Sequence, residues 1–91
     1  MTRVLHLTLK KKWFDKIVSG EKKKEYRDIK PYWNIRLNKE YDEIHFKNGY
    51  NKDCPFMRIE FKGLEFDNLE GEKVYAIKLG KILEIKNHKT K

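Results

Sequence analysis

The spacing of apolar residues changes along this chain, and that spacing limits the folds it can adopt. Leu5, Leu7 and Leu9 alternate with polar residues, which is the two-residue period of a half-buried strand. Over residues 11–19 the apolar positions follow a helical period instead. A second short helix is predicted to begin at Pro31, because proline lacks the N–H that the first helical turn leaves unpaired. The first half therefore predicts strand, helix, strand and helix.

The second half of the chain is predicted to be almost entirely β. Alternating apolar residues around Ile44, Ile59 and Ile77 indicate strands, and Gly63 and Gly80 interrupt the alternation as β-bulges do. Bulges supply the curvature that closes a sheet. We therefore predict an α+β domain: a small β-barrel of five to six mostly antiparallel strands with two short helices in the N-terminal half. Residues 1–86 are assigned to this domain and residues 87–91 to a flexible C-terminal tail.

The composition indicates a small intracellular domain. Its 91 residues suit one modest core, and the single cysteine, Cys54, excludes an intramolecular disulfide and a cysteine-based metal cluster. We interpret Cys54 as a structural thiol. No apolar run approaches the roughly 20 residues of a membrane span, and the N-terminus lacks a signal pattern. A cytoplasmic protein without metal, cofactor or membrane contact is expected, and a monomer is favoured.

Charge is distributed unevenly along the chain. The first 39 residues contain twelve Lys or Arg and four Asp or Glu, whereas the remainder contains ten of each. The formal net charge of +8 therefore originates in the first part of the chain. A one-sided positive field attracts polyanions such as nucleic acids. The alternative interpretation is that these lysines only solvate a helix and its flanks.

The segment after the first predicted helix is the most informative for function. Gly20 suits the left-handed residue at a helix end, and Lys22 follows in the turn. Glu25 and Arg27 are two residues apart on a predicted strand and therefore share a face. There they can pair with each other or together contact a polar ligand, since a guanidinium is suited to phosphate or a nucleobase. An ordinary surface ion pair is the alternative.

Aromatic residues among these basic residues are a second indication of nucleic-acid binding, because they stack on bases while cations neutralise phosphates. Trp13 shares the helical stripe with Ile17 and is predicted to lie in the core. Tyr32 and Trp33 are adjacent, so we expect one of them to be partly exposed at a cleft. The three histidines lack partners at metal-ligand spacing and are interpreted as structural or exposed residues: His6, His45 and His88.

The turn and its surroundings resemble a known family. Gly20, Lys22, Glu25 and Arg27 match the G-x-K-x-x-E-x-R pattern of the ASCH domain family, whose fold is similar to the PUA domain of RNA-modifying enzymes. The resemblance extends over nearly the whole chain, and the chain looks like the small single-domain members of the family. Its other matching segments are the start at Lys10, Ile17-Val18-Ser19-Gly20, Pro31-Tyr32-Trp33, Arg36-Leu37 and the closing Ile77-Lys78-Leu79-Gly80-Lys81-Ile82.

This resemblance implies a barrel with a cleft beside the first helix and an association with RNA. One branch of the family resembles amidohydrolases that act on acylated cytidine with a lysine, a threonine and a glutamate. Lys22 matches that lysine, but Glu25 occupies the threonine position, and an ionised carboxylate does not replace a hydroxyl nucleophile. A general base could instead be Glu25, Glu60 or Glu65.

The leading prediction is a module that binds RNA or a nucleotide-like ligand through a basic cleft beside the first helix. Two alternatives remain open: a small hydrolase acting on a modified nucleoside or RNA, with Lys22 and Glu25 as candidate catalytic residues, and a regulatory protein-interaction domain. The residues predicted to bind the ligand or nucleic acid are Lys10, Lys11, Lys22, Lys23, Lys24, Glu25, Arg27, Tyr32, Trp33 and Arg36.

Overall fold

A computed structural model gives the fold and describes residues 2–88 of the chain. Five strands and two helices follow one another, with both helices in the first half as predicted. None of the helices in residues 2–88 is long and apolar enough to cross a membrane. The elements in order are β1 (Val4–Thr8), α1 (Lys11–Val18), β2 (Lys24–Asp28), α2 (Pro31–Leu37), β3 (Glu43–Lys47), β4 (Phe56–Leu69) and β5 (Glu72–Lys86).

The strands form one mixed sheet in the order β1-β3-β4-β5-β2. β1 pairs in parallel with β3, whereas the pairings β3–β4, β4–β5 and β5–β2 are antiparallel. The radius of gyration is 13.0 Å, as in a compact domain of this length. The predicted α+β class, the two short helices and the mostly antiparallel sheet are therefore confirmed.

The closed barrel is wrong, because the sheet has two edges. β1 and β2 are its outer strands, and no backbone ladder joins them in the part of the chain that is described. The side chain of Arg27 fills the space between them, and its Nη2 donates to the carbonyl oxygen of Thr8 at 3.4 Å. We call this gap, between Thr8 of β1 and Arg27 of β2, the seam. At the seam, a contact between a side chain and a backbone carbonyl therefore stands where a closed barrel would have a backbone ladder.

Three register shifts curve the long β4–β5 pair, and both glycines predicted to mark bulges lie at such shifts. Between Phe61 and Leu64, β4 has one residue more than the facing part of β5, and Gly63 lies within this step. Between Ile59 and Phe61 the extra residue is in β5, because these two residues pair with Ile82 and Leu79, and Gly80 lies within that step. A Cβ on Gly80 would lie only 2.7 Å from the side chain of Lys62, so the glycine also permits a close approach.

The core lies between the inner face of the curved sheet and the two helices. The alternating leucines of β1 and its continuation are buried as their spacing predicts. Phe14 and Ile17 bring α1 onto this core, and Leu37 brings α2. Burying such side chains contributes about 1.5–3 kcal/mol each to stability. The buried apolar cluster consists of Leu5, Leu7, Leu9, Phe14, Ile17, Leu37, Ile44, Phe46, Met57, Ile59 and Ile77.

The first two residues of the predicted tail contact the domain. Nδ2 of Asn87 donates to the carbonyl oxygen of Cys54 at 3.4 Å. The ring of His88 lies 5.5 Å from that of Phe14, and its Nε2 is 2.8 Å from Oδ1 of Asp15. The remaining residues of the predicted tail, 89–91, lie outside the described residues.

Candidate functional site

The turn between α1 and β2 positions the motif residues. Gly20 ends the helix with a φ of +87°, and its N–H donates to the carbonyl oxygen of Ile17 at 3.1 Å. The N–H of Lys22 then returns to the carbonyl oxygen of Lys16 at 3.0 Å. These bonds reverse the chain, so that Lys22 and the start of β2 lie beside the helix they follow.

A cleft of about 510 Å³ opens at the seam. Thr8, Leu9 and Lys10, at and after the end of β1, line one side, together with Trp13 of α1. The opposite side comes from the turn and β2, and the far end of β4 adds one residue. The residues on that side are Lys22, Glu25, Tyr26, Arg27 and Leu69. A volume of this size lies within the range of small-molecule sites in proteins.

Glu25 lies at the base of the cleft and is only 4% exposed. Nζ of Lys22 is 3.3 Å from its Oε1, and Nη1 of Arg27 donates to its Oε2. The predicted pairing of Glu25 with Arg27 is therefore present, and Lys22 joins it. A carboxylate removed from water needs such partners, since desolvation of an unpaired charge costs several kcal/mol. The structure thus brings all three motif side chains into one concavity.

Lys22 is enclosed by aromatic rings as well as by Glu25. Its Nζ lies 5.1 Å from the ring centre of Trp13 and 4.8 Å from that of Tyr26, and its side chain is 14% exposed. Cation–π contacts at partly desolvated sites stabilise such an ammonium. Among the described residues, Glu25 is its only ion-pair partner. An ammonium has three donors, so Lys22 retains capacity for a ligand in the cleft.

The guanidinium of Arg27 is occupied mainly by contacts within the protein. Besides its bond to Glu25, its Nη1 donates to the carbonyl oxygen of Tyr26 at 2.8 Å. Nη2 reaches the carbonyl oxygen of Thr8 across the seam, and the guanidinium lies 5.1 Å from the ring centre of Trp33. These contacts fix the position of Glu25 and the width of the seam.

Trp13 was predicted to lie in the core, and that prediction is wrong. It is 38% exposed and forms a wall of the cleft. Phe14 and Ile17 already fill the core from α1, and the ring of Trp13 instead contacts the ammonium of Lys22 at 5.1 Å. Nζ of Lys12 lies 4.8 Å from the ring centre of Trp13. The buried apolar face of α1 is therefore narrower than the spacing of apolar residues indicated.

A second concavity, also of about 510 Å³, adjoins the cleft. Trp13, Lys22 and Tyr26 line both spaces and form a ridge between them. We call the second space the lysine concavity, because its other lining residues are Lys16, Glu21, Lys23 and Lys24.

Two of its lysines already have acidic partners. Nζ of Lys16 is 3.6 Å from Glu21, and Nζ of Lys24 is 2.5 Å from Glu65. The hydrogen bond to Glu65 raises the pKa of Lys24 above its ordinary value. Lys23 has no carboxylate within ion-pair distance in the described part of the chain.

Of the residues predicted to bind the ligand, Lys23 and Lys24 line only the lysine concavity, and four others line neither space. Lys11 lies on another side of α1, where its Nζ is 2.6 Å from Asp15. Tyr32 and Arg36 contact each other on α2, with the guanidinium 4.4 Å from the ring centre, and Tyr32 is 57% exposed. Trp33 is partly buried against the core and connects to the site only through Arg27.

The alternative carboxylates lie away from the cleft. Oε1 of Glu60 accepts a hydrogen bond from the backbone N–H of Lys81 at 2.9 Å, which holds the pKa of Glu60 below its usual value. Glu65 contacts Lys24 instead, and this hydrogen bond lowers the pKa of Glu65. Among the described residues, Glu25 is therefore the carboxylate that lines the cleft.

The histidines are dispersed over the molecule. The rings of His6 and His45, on neighbouring strands, are nearly perpendicular with their centres 5.3 Å apart, and Nε2 of His45 is 3.2 Å from Oε1 of Glu43. Within residues 2–88 there is no group of three or more His, Cys, Asp or Glu that could hold a metal ion. Cys54 is buried.

Five residues that line the cleft were not among those predicted to bind a ligand: Thr8, Leu9, Trp13, Tyr26 and Leu69. Thr8, Leu9 and Leu69 carry no local signal of ligand binding, and Leu69 is more than 40 residues from the motif. Only the curvature of the sheet brings them together.

Comparisons with protein-family models, with curated proteins and with solved structures found no match. The chemical groups that line the cleft include an ammonium, a largely buried carboxylate and the two aromatic rings that the ammonium contacts.

Proposed function

We propose that the cleft binds a nucleotide or one nucleotide unit of single-stranded RNA. The observation that carries this proposal is the position of Lys22, held between Trp13 and Tyr26 and against Glu25 in a cleft at the seam. A base stacks on an aromatic face, while the polar groups contact its edge. The lysines at the rim neutralise phosphates.

The charge distribution supports the same function. The basic first part of the chain contributes Lys10 to the cleft and three further lysines to the lysine concavity beside it. A one-sided positive surface raises the rate of encounter with a polyanion. The lysines therefore surround the opening through which a nucleic acid would approach.

We also propose that the chain is a small relative of the ASCH domain family with a PUA-like sheet. Support comes from the G-x-K-x-x-E-x-R pattern, since Gly20 ends a helix and Lys22, Glu25 and Arg27 converge in a cleft beside it. These are the positions at which that family's cleft is expected. An open seam rather than a closed barrel is the feature in which this chain departs from that expectation.

Binding to labelled single-stranded RNA, measured by fluorescence anisotropy, tests the proposed function. We expect Trp13→Ala to weaken binding by about tenfold, because stacking on one aromatic ring contributes about 1–3 kcal/mol. Trp13→Phe is expected to retain most of the affinity. The logarithm of the affinity should also fall linearly with the logarithm of salt concentration, with a slope of about −0.7 for each phosphate contacted.

Tyr50→Ala provides the matched control, because this ring is 92% exposed and lines no part of the cleft. It should bind RNA as the native protein does. Equal losses in the Trp13 and Tyr50 variants, or no RNA binding at low salt, would contradict the proposed function.

A hydrolase is the second candidate, and the buried Lys22–Glu25 pair favours it. Their charged atoms are 3.3 Å apart and both border the cleft, as an acid–base pair requires. Incubation with a panel of acylated nucleosides, followed by mass spectrometry, tests this activity. Turnover that is lost in Lys22→Ala and kept in Lys52→Ala would support a hydrolase, whereas no turnover across the panel would reject it.

A further inference from the structure

We propose that the lysine concavity is a phosphate subsite, so that the ligand of the cleft is a phosphorylated nucleoside rather than a free nucleoside. This inference rests on the proposed function and adds a second point of recognition to it. The base would lie in the cleft and the phosphate in the lysine concavity, on opposite sides of the ridge formed by Trp13, Lys22 and Tyr26.

The two spaces differ in chemistry although they share the ridge. The cleft adds Leu9 and Leu69 to the two aromatic rings, so its walls are largely apolar and suit a planar group. The lysine concavity adds no aliphatic residue and is lined beyond the ridge by lysines and one carboxylate. A ligand that crosses the ridge therefore meets an apolar wall at one end and ammonium groups at the other.

The ion pairs leave the lysine concavity with uncompensated positive charge. Lys16 and Lys24 are paired with Glu21 and Glu65, as described above. Lys23 is the exception in the described part of the chain, since its ammonium has no acidic partner there. An anion in this space would gain a direct contact with Lys23 without first separating an existing pair.

Phosphate is the anion that this arrangement fits. Several lysines act as mobile point charges around an anion of high charge, and they do not need the planar geometry that a carboxylate prefers from arginine. The guanidinium of Arg27, which lines the adjoining cleft, is already bonded to Glu25 and to the carbonyl oxygens of Tyr26 and Thr8. The free donors around the ridge therefore belong to ammonium groups.

Isothermal titration of the full chain with matched nucleosides and nucleotides tests the subsite. The probes are the four common ribonucleosides, their 5′- and 3′-monophosphates, and inorganic phosphate. We expect the monophosphate with the fitting geometry to bind about tenfold more tightly than its nucleoside, which corresponds to one charge-assisted hydrogen bond.

Variants of Lys23 assign this difference to the lysine concavity. Lys23→Ala should reduce the preference for the monophosphate while leaving the affinity for the nucleoside unchanged, and Lys23→Arg should restore most of it. Lys52→Ala removes an exposed lysine that lines neither space and controls for net charge. Because Lys23 is exposed, its replacement is not expected to unfold the protein.

The outcomes separate this inference from the proposed function. A preference for monophosphates that is lost in Lys23→Ala and kept in Lys52→Ala supports the subsite. Equal affinity for nucleosides and monophosphates overturns the subsite but leaves nucleotide binding in the cleft standing. A preference that survives in Lys23→Ala also overturns it, because the phosphate is then bound elsewhere. If neither nucleosides nor nucleotides nor RNA bind, both proposals are rejected.

Discussion

Glu25 is enclosed by protein on nearly all sides, and two cations rather than water balance its charge. The two cations, Lys22 and Arg27, have different further contacts. Arg27 also bonds to two backbone carbonyl groups, whereas Lys22 lies against two aromatic rings. Removal of the negative charge would leave two positive groups close together in a poorly hydrated space.

The first prediction concerns this charge. Glu25→Gln should lower the free energy of unfolding by about 3 kcal/mol, because breaking a buried ion pair leaves its partners uncompensated. Asp28→Asn is the control, since this carboxyl group is on the same strand but largely exposed, and it should change stability by less than about 0.5 kcal/mol. Urea denaturation measures both, and similar values for the two variants would contradict the role assigned to Glu25.

The motif side chains were the part of the site that the sequence could predict. Glu25 and Arg27 share a face because strand geometry alternates, and Lys22 follows a glycine that must end the helix. Trp13 could not be placed by the same reasoning. Whether a residue at the edge of a helical stripe is buried depends on how much of the core Phe14 and Ile17 fill, which is a property of the tertiary structure.

At the scale of elements, the β4–β5 hairpin contains a residue in an unfavourable backbone conformation. β4 ends at Leu69 and β5 begins at Glu72, so Glu70 and Gly71 form a two-residue turn. Both have positive φ, 52° and 84°, as a type I′ turn requires. Glycine adopts such angles at no steric cost, but glutamate does not.

The second prediction is that Glu70→Asn stabilises the protein. Asn-Gly is the preferred pair for this turn, so the free energy of unfolding should rise by about 0.5–1 kcal/mol. Glu72→Asn makes the same chemical change at the first residue of β5, where φ is negative, and should give no gain. Thermal unfolding of both variants measures the difference. An equal or larger gain from Glu72→Asn would show that loss of the negative charge, and not the turn, is responsible.

Most elements could be predicted from the spacing of apolar residues because each depends on local geometry. The helix that begins at Pro31 and the bulges near Gly63 and Gly80 are examples. The polar residues 68–73 also predict the turn that contains Glu70, but not its length of two residues, because both strands continue into this polar segment. Pairing between β4 and β5 continues as far as Leu69 and Glu72, and such pairing is a tertiary contact that local propensity does not specify.

At the scale of the whole molecule, ion pairs and a partly desolvated histidine make stability depend on pH. Hydrogen bonds and charges from Arg3 lower the pKa of Asp42, and Arg58 does the same for Glu43. These contributions are present above the ordinary carboxyl pKa values and are lost as pH falls through the lowered ones. The pKa of His6 is lowered below its ordinary value of 6.5, mainly because the ring is partly desolvated and also because of the nearby charges of His45 and Lys47.

The third prediction concerns His6. Below pH of about 6.5 the unfolded chain binds a proton at this residue more readily than the folded chain, so protonation opposes folding. Stability of His6→Gln relative to the native protein should therefore rise as pH falls from about 7.5 to 5.5. Denaturation curves at several pH values measure this difference, and Lys52→Gln should show no such trend. A relative stability that falls toward acid would mean that the imidazolium is favoured in the fold.

Whether the sheet closes could not be predicted from the sequence. Alternation and bulges indicate that the strands curve, but closure depends on what lies between residues 8 and 27 once the chain has folded. The guanidinium of Arg27 lies there, and its position depends on Glu25 and Trp33. Pairing across a sheet depends on contacts that are distant in sequence, and no local pattern specifies them.

One side chain, and not a row of backbone hydrogen bonds, spans the two edge strands. That bond contributes roughly 1 kcal/mol, and the four strand pairings of the sheet do not depend on it. A closed barrel would instead join its first and last strands by several backbone hydrogen bonds. In this domain the contact between the two sheet edges therefore comes from the same arginine that neutralises Glu25, so a change at that one residue would reach both the buried charge and the shape of the sheet.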